Sequence, residues 1–94
     1  MELNLNAEAI RSFLGRAKDK DGKEYSIKVV VFKEPVVTNS SFGNIRSGAF
    51  VQSSAGEIIY PMLFPEELND EQVNKQGDYM VSNIDKILES ISHG

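Results

Sequence analysis

The 94-residue chain contains no cysteine, no tryptophan and a single histidine. Without cysteine it has no disulfide, no zinc–thiolate site, no iron–sulfur cluster and no thiol nucleophile. Its apolar runs are shorter than the ~18–20 residues of a membrane span, and Met1 is followed by neither the basic nor the apolar segment of an export signal. We therefore expect a cytoplasmic protein, outside the membrane, that forms a single domain over residues 1–94.

Residue patterns typical of catalysis are lacking as well. The one histidine, His93, stands beside the last residue of the sequence, which is a poor place for the middle member of a Ser–His–acid triad. Residues 19–22 lack the ligand spacing of a calcium loop, and residues 43–48 lack the lysine that follows the glycines of a phosphate loop. We expect no enzymatic activity, no cofactor and no metal ion.

The first hairpin is predicted around residues 19–22, where two aspartates and a glycine are typical of a tight turn. Residues 24–33 are rich in β-branched and aromatic side chains and predict a strand. Residues 16–18 are expected to pair back across the turn. Pro35 is expected to end the strand, because proline has no N–H to donate to a neighbouring strand.

A second hairpin is predicted farther along the chain. Its strands are predicted over residues 49–52 and 57–60, and its turn over residues 53–56. Residues 61–65, which begin and end with proline, are expected to close the β region. The stretch before this hairpin, residues 36–48, mixes turn formers with a few apolar residues and predicts a loop.

Helices are predicted at both ends of the sheet region. A short strand over residues 2–6 leads to Asn6, which is a suitable cap for a helix that starts at Ala7 and ends at Gly15. Near the other end, Asn69 and Gln72 have the spacing of a capping box. The helix that follows carries an apolar stripe made of Val73, Gly77, Met80, Ile84, Ile87 and Ile91.

The apolar stripe predicts one helix of about 23 residues, continuous through Gly77. The expected fold is therefore α+β: a small antiparallel sheet of three to five strands with two hairpins, a short N-terminal helix, and a long C-terminal amphipathic helix packed on one face. Val81 and Leu88 make the stripe too wide for a strict coiled-coil seam, so monomer and homodimer both remain open.

Charge is unevenly distributed along the chain, whose net charge is −4. Residues 1–47 hold eight basic and six acidic residues, whereas residues 48–94 hold two basic and eight acidic ones. This asymmetry favours a non-enzymatic protein-binding module of inhibitor, immunity or adaptor type, whose partner carries a basic surface. The candidate partner-binding residues are Phe42 and Arg46 in the polar loop, and Glu66, Glu67, Asp70 and Glu71 within an acidic surface that also includes Asp78, Asp85 and Glu89.

The sequence leaves two other functions open. Basic residues interleaved with Phe13 and Tyr25 indicate single-stranded nucleic-acid binding as an alternative; the candidates are Arg11, Arg16, Lys18, Lys20 and Lys23. Acidic residues interrupt this basic stretch, and Tyr25 is expected on the buried face. The third possibility is a small-molecule pocket between helix and sheet, but in a chain of this size such a pocket competes directly with the core.

Overall fold

In a computed structural model, which describes residues 9–37 and 44–93, a four-stranded sheet is followed by two helices. The strands are antiparallel and lie in their order along the chain, β1-β2-β3-β4. The elements are β1 Ala9–Lys18, β2 Glu24–Val37, β3 Asn44–Ser53, β4 Ile58–Phe64, α1 Asp70–Ser82 and α2 Ile84–His93. The expected α+β class and the antiparallel sheet of three to five strands are confirmed.

Both predicted turns are confirmed, and each depends on a glycine. Gly22 has a φ of 83° and donates its N–H to the carbonyl of Asp19 at 3.0 Å. Gly56 has a φ of 85° and donates to the carbonyl of Ser53 at 2.9 Å. Other residues rarely adopt such positive φ angles, so these glycines fix where β1 turns into β2 and where β3 turns into β4.

The helix predicted to begin at Ala7 is wrong, because the described part of that segment, from Ala9 onward, belongs to β1. Side-chain exposure along β1 alternates with the period of a strand. Ile10 and Leu14, two apolar residues of this segment, are 49% and 73% exposed. Pairing with β2 across the tight turn outweighs a helix that is marginal on its own. The strand predicted over residues 2–6 lies outside the described residues.

The loop predicted over residues 36–48 is too long, because β2 and β3 extend into it from both sides. Contrary to the prediction, β2 continues past Pro35. This proline lies where the pairing with β3 is interrupted, between Val31 and Val36, so its missing N–H breaks no ladder hydrogen bond there. β4 likewise continues through Pro61, which is tolerated because β4 is an edge strand of the sheet.

The C-terminal helix begins as predicted but does not run unbroken. The Asn69 side chain accepts the N–H of Gln72, and the Gln72 side chain accepts the N–H of Asn69, each at 2.8 Å. The helix continues through Gly77, as expected, ends at Ser82 and is capped by Asn83. Asn83 donates both its backbone N–H and its side-chain amide to the carbonyl of Tyr79, and a second helix, α2, starts at the next residue. The single 23-residue helix is therefore wrong.

The apolar stripe of α1 and α2 contributes to the larger of two clusters of buried side chains among the described residues. This cluster includes Ile27, Val29 and Val31 of β2, Ala49 and Val51 of β3, Val73 and Met80 of α1, and Ile84 and Ile87 of α2. The smaller cluster contains Val30, Phe32, Ile45 and Phe50. β2 supplies alternate residues to the two clusters, which explains why its far end is apolar on both faces.

The connection between β4 and α1 is attached to the sheet through Ser47, a fully buried polar residue of β3. Its hydroxyl donates to the carbonyl of Glu66 at 2.8 Å and accepts the N–H of Leu68 at 3.1 Å. Both contacts join groups far apart in sequence. Ser47 therefore positions the start of α1 over the sheet.

Candidate functional site

The acidic residues predicted to bind a partner lie in the β4–α1 connection and the first turn of α1. All four are exposed: Glu66, Glu67, Asp70 and Glu71. The Asp70 carboxylate lies 3.0 Å from Nε of Arg11, and the Glu71 carboxylate lies 3.0 Å from Nζ of Lys75. Two of the four charges are thus already paired within the chain.

The two candidates from the predicted polar loop, Phe42 and Arg46, do not lie together in a described loop. Arg46 lies in β3 rather than in a loop, and its side chain is exposed. Its neighbour in β3, Ser47, contacts the connection through the carbonyl of Glu66. Phe42 lies outside the described residues. A partner-binding role for Arg46 and the acidic connection stays a prediction.

The basic residues of the nucleic-acid alternative do not form one surface. Arg11 is bound by Asp70, and Arg16 lies 3.1 Å from the carboxylate of Glu24. Because Arg11 is an odd and Arg16 an even residue of the same strand, their side chains leave opposite faces of β1. Lys18 ends that strand, Lys20 lies in the turn, and the Lys23 ammonium lies 5.7 Å from the centre of the Tyr25 ring. The alternative stays a prediction.

A groove of about 710 Å³ lies between the β1–β2 turn and α2, and we call it the α2 groove. Its apolar lining comes from one residue of β2, one of β4 and two of α2; its charged lining comes from the turn and from α2. The residues are Tyr25, Ile59, Leu88 and Ile91, together with Asp19, Lys20, Asp21, Asp85 and Glu89. The structure thus joins residues that are up to 72 positions apart.

The two walls of the α2 groove are joined by a hydrogen bond. The backbone N–H of Lys20 in the turn donates to the carboxylate of Asp85 in α2 at 3.0 Å. The turn itself is held by Asp19, whose carboxylate accepts the N–H groups of Asp21 and Lys23 at 2.9 Å and 2.8 Å. These contacts fix the spacing of the walls, so the groove is formed before any partner binds.

The apolar residues of the α2 groove form its floor. Tyr25 is 7% exposed, and Ile59 and Leu88 are half-buried. Ile91, in the last turns of α2, is 39% exposed although it belongs to the apolar stripe of the helices. The stripe therefore extends beyond the part of the core that covers it, and its last member faces the groove.

The rim of the α2 groove is acidic. Asp85 and Glu89 are one helical turn apart and project from the same side of α2. Asp19 and Asp21 lie on the opposite wall, so carboxylates flank the floor on both sides. Lys20 is the one basic residue among the nine lining residues that the structure describes, and these nine have a net charge of −3.

Comparison with family models, curated proteins and solved structures found no match. Neither of the described helices combines the length and apolar character needed to cross a bilayer. Within the described ranges, no three residues among histidine, aspartate and glutamate are grouped so as to hold a metal ion.

The sequence shows the parts of the α2 groove separately. It predicts an acidic surface that includes Asp85 and Glu89, a turn at residues 19–22, and an apolar stripe that ends in Ile91. The turn and α2 are far apart in sequence, and no local pattern indicates that a backbone N–H at Lys20 meets Asp85. The usable signal was the spacing of acidic and apolar residues in α2, which places both kinds along one side of the helix.

Proposed function

We propose that this chain is a non-enzymatic protein-binding module and that the α2 groove is its contact surface. The observation that carries the proposal is the apolar floor, which ends in Ile91, a large aliphatic side chain that is 39% exposed at the end of an otherwise covered stripe. Apolar area removed from water on binding contributes roughly 25 cal/mol per Å². A partner's side chain placed on Ile91 gains this contribution.

The shape of the α2 groove favours a segment of protein chain as its occupant. Most of its charged lining residues are exposed, and its walls come from a turn and a helix that run beside one another. A small-molecule pocket encloses most of its ligand. An open groove with a central apolar floor and a polar rim instead matches the anatomy of a protein interface.

The α2 groove is a better candidate than the acidic connection before α1. Asp70 and Glu71 already form ion pairs with Arg11 and Lys75, and a partner would have to displace these contacts. In the groove, Glu89 makes no ion pair within the described residues, and Asp85 contacts a backbone N–H rather than a cation. The charges of the groove are therefore available to a partner.

Selection of peptides from an unbiased library tests the proposal. Random 16-residue peptides displayed on their messenger RNA would be selected on the immobilised chain, and the enriched peptides titrated against variants in solution. We expect Ile91→Ser to weaken their binding about tenfold, because it removes apolar contact from the floor.

The matched control is Ile10→Ser, which makes the same change at an isoleucine of β1 that is 49% exposed and lies outside the groove. This variant is expected to bind the peptides as the unchanged chain does. Equal weakening by both variants, or enriched peptides that bind the Ile91→Ser chain normally, would contradict the groove as the contact surface.

A further inference from the structure

We infer that the α2 groove takes a basic amphipathic segment of a partner protein, with aliphatic side chains on the floor and lysine or arginine at the rim. This inference rests on the protein-binding function proposed above and adds the chemistry of the partner. It follows from the placement of charge around the floor rather than from the net charge of the chain.

Carboxylates stand on both walls of the groove. Asp85 and Glu89 line the α2 wall, and Asp19 and Asp21 line the turn wall. The walls meet at the Lys20–Asp85 hydrogen bond, so a segment seated on the open floor beside that contact meets carboxylates from both walls with its own polar side chains. Complementary charge accelerates encounter and selects the partner, whereas like charge is rejected.

The carboxylates that hold the turn can still accept hydrogen bonds from such a segment. Asp85 uses Oδ1 to accept the Lys20 N–H, and Asp19 uses Oδ1 for two N–H groups of its own turn. A carboxylate has a second oxygen and further lone pairs to offer to an incoming ammonium or guanidinium. The same hydrogen bonds hold the acids in place, which lowers the entropic cost of binding.

Lysine and arginine suit this groove for a second reason. Their aliphatic stems lie along apolar surface while their charged ends reach a polar rim. Such a side chain covers Ile91 or Leu88 with its methylene groups and places its charge beside Glu89, one residue from Leu88. Nucleic acids and anionic membranes present negative charge to the same rim and are repelled by it.

The peptides selected from the random library test the charge of the occupant. We expect the enriched peptides to carry more lysine and arginine than the unselected library, alternating with aliphatic residues. Their binding should weaken when salt rises from about 0.1 M to about 1 M, because screening shortens the reach of the rim charges. The double variant Asp85→Asn, Glu89→Gln should bind them about fivefold more weakly.

The double variant is designed to preserve the groove. Asparagine keeps an oxygen that can accept the Lys20 N–H, so the wall-to-wall hydrogen bond survives the loss of charge. The matched control is Glu34→Gln, Glu57→Gln, which removes the same net charge at two exposed positions outside the groove and should change the dissociation constant less than twofold.

The outcomes separate the two claims. Enriched peptides that need Ile91 but carry no net positive charge, or that ignore the double variant, overturn the inference and leave the protein-binding groove standing. Basic peptides that bind the Ile91→Ser chain normally overturn both. Self-association that Ile91→Ser abolishes, measured by sedimentation equilibrium, would identify a second copy of this chain as the occupant and also overturn the inference.

Discussion

The ring of Phe13 in β1 packs against α1 at Gly77, which has no side chain. A methyl group built on Gly77 would overlap Cγ and Cδ1 of the Phe13 ring and lie 2.5 Å from Cε1, closer than carbon atoms can approach without a shift. Gly15, in the same strand, lies beside the other part of this ring, so the ring is held between two glycines. The close approach of α1 to β1 is therefore set at the level of single residues.

Gly77→Ala is expected to destabilise the protein although alanine favours helix. Overpacking against ring carbons this close costs toward the upper end of about 1–3 kcal/mol and the helical gain is about 1 kcal/mol, so the free energy of unfolding should fall by up to about 2 kcal/mol. Urea unfolding followed by circular dichroism measures the difference. In a Phe13→Ala background the same substitution should be neutral or stabilising; a loss of equal size there would show that the ring is not the cause.

Ser47 is the second position where one residue has a large effect. Ser47→Ala leaves the buried N–H of Leu68 and the carbonyl of Glu66 without their partner and should lower the free energy of unfolding by about 1–3 kcal/mol. Ser54→Ala, in the exposed turn between β3 and β4, is the control and should stay within about 0.5 kcal/mol. Equal denaturation midpoints for the two variants would contradict this role for Ser47.

At the scale of whole elements, the strands and helices depend on local signals to different degrees. The capping box at Asn69 and the glycine turns at Gly22 and Gly56 could be predicted because a few adjacent residues determine them. β1 could not be predicted, because its helix-like spacing is overruled by pairing with β2. The break at Asn83 was missed because the apolar stripe continues across it without interruption.

The candidate site also combines features set by adjacent residues with a contact between distant ones. Each wall of the α2 groove is visible in the sequence as a turn or as an amphipathic helix, but the contact that joins them is not. That contact is made by a backbone N–H, which every residue except proline possesses, so residue types do not reveal it. Assembling the groove required the path of the chain between Lys20 and Asp85.

The start of α1 offers a test at this scale. Asn69→Ala removes the side-chain acceptor of the capping box and should lower the free energy of unfolding by about 1 kcal/mol. Asn74→Ala, at an exposed position within α1, lacks this role and should leave stability unchanged or slightly raised, because alanine is the better helix former. Thermal unfolding of the two variants side by side makes the comparison; a larger loss in Asn74→Ala would contradict the capping assignment.

At the scale of the molecule, partly exposed apolar residues and acidic residues meet in the α2 groove. The apolar stripe of the helices extends beyond the sheet that covers it. Its exposed end, Ile91, lies in the groove together with carboxylates from both walls. The basic residues of β1 are spread over two faces and partly paired. This arrangement supports the proposal of a docking protein with an acidic, apolar-floored contact surface.

The most direct test of this proposal is to map amide chemical shifts of the ¹⁵N-labelled chain during titration with a library-selected peptide. We predict that the largest changes fall in residues 19–21, at Ile59 and in residues 85–91, on both walls and the floor of the α2 groove. Changes confined instead to the β4–α1 connection and Arg46, or to the basic residues of β1, would contradict it.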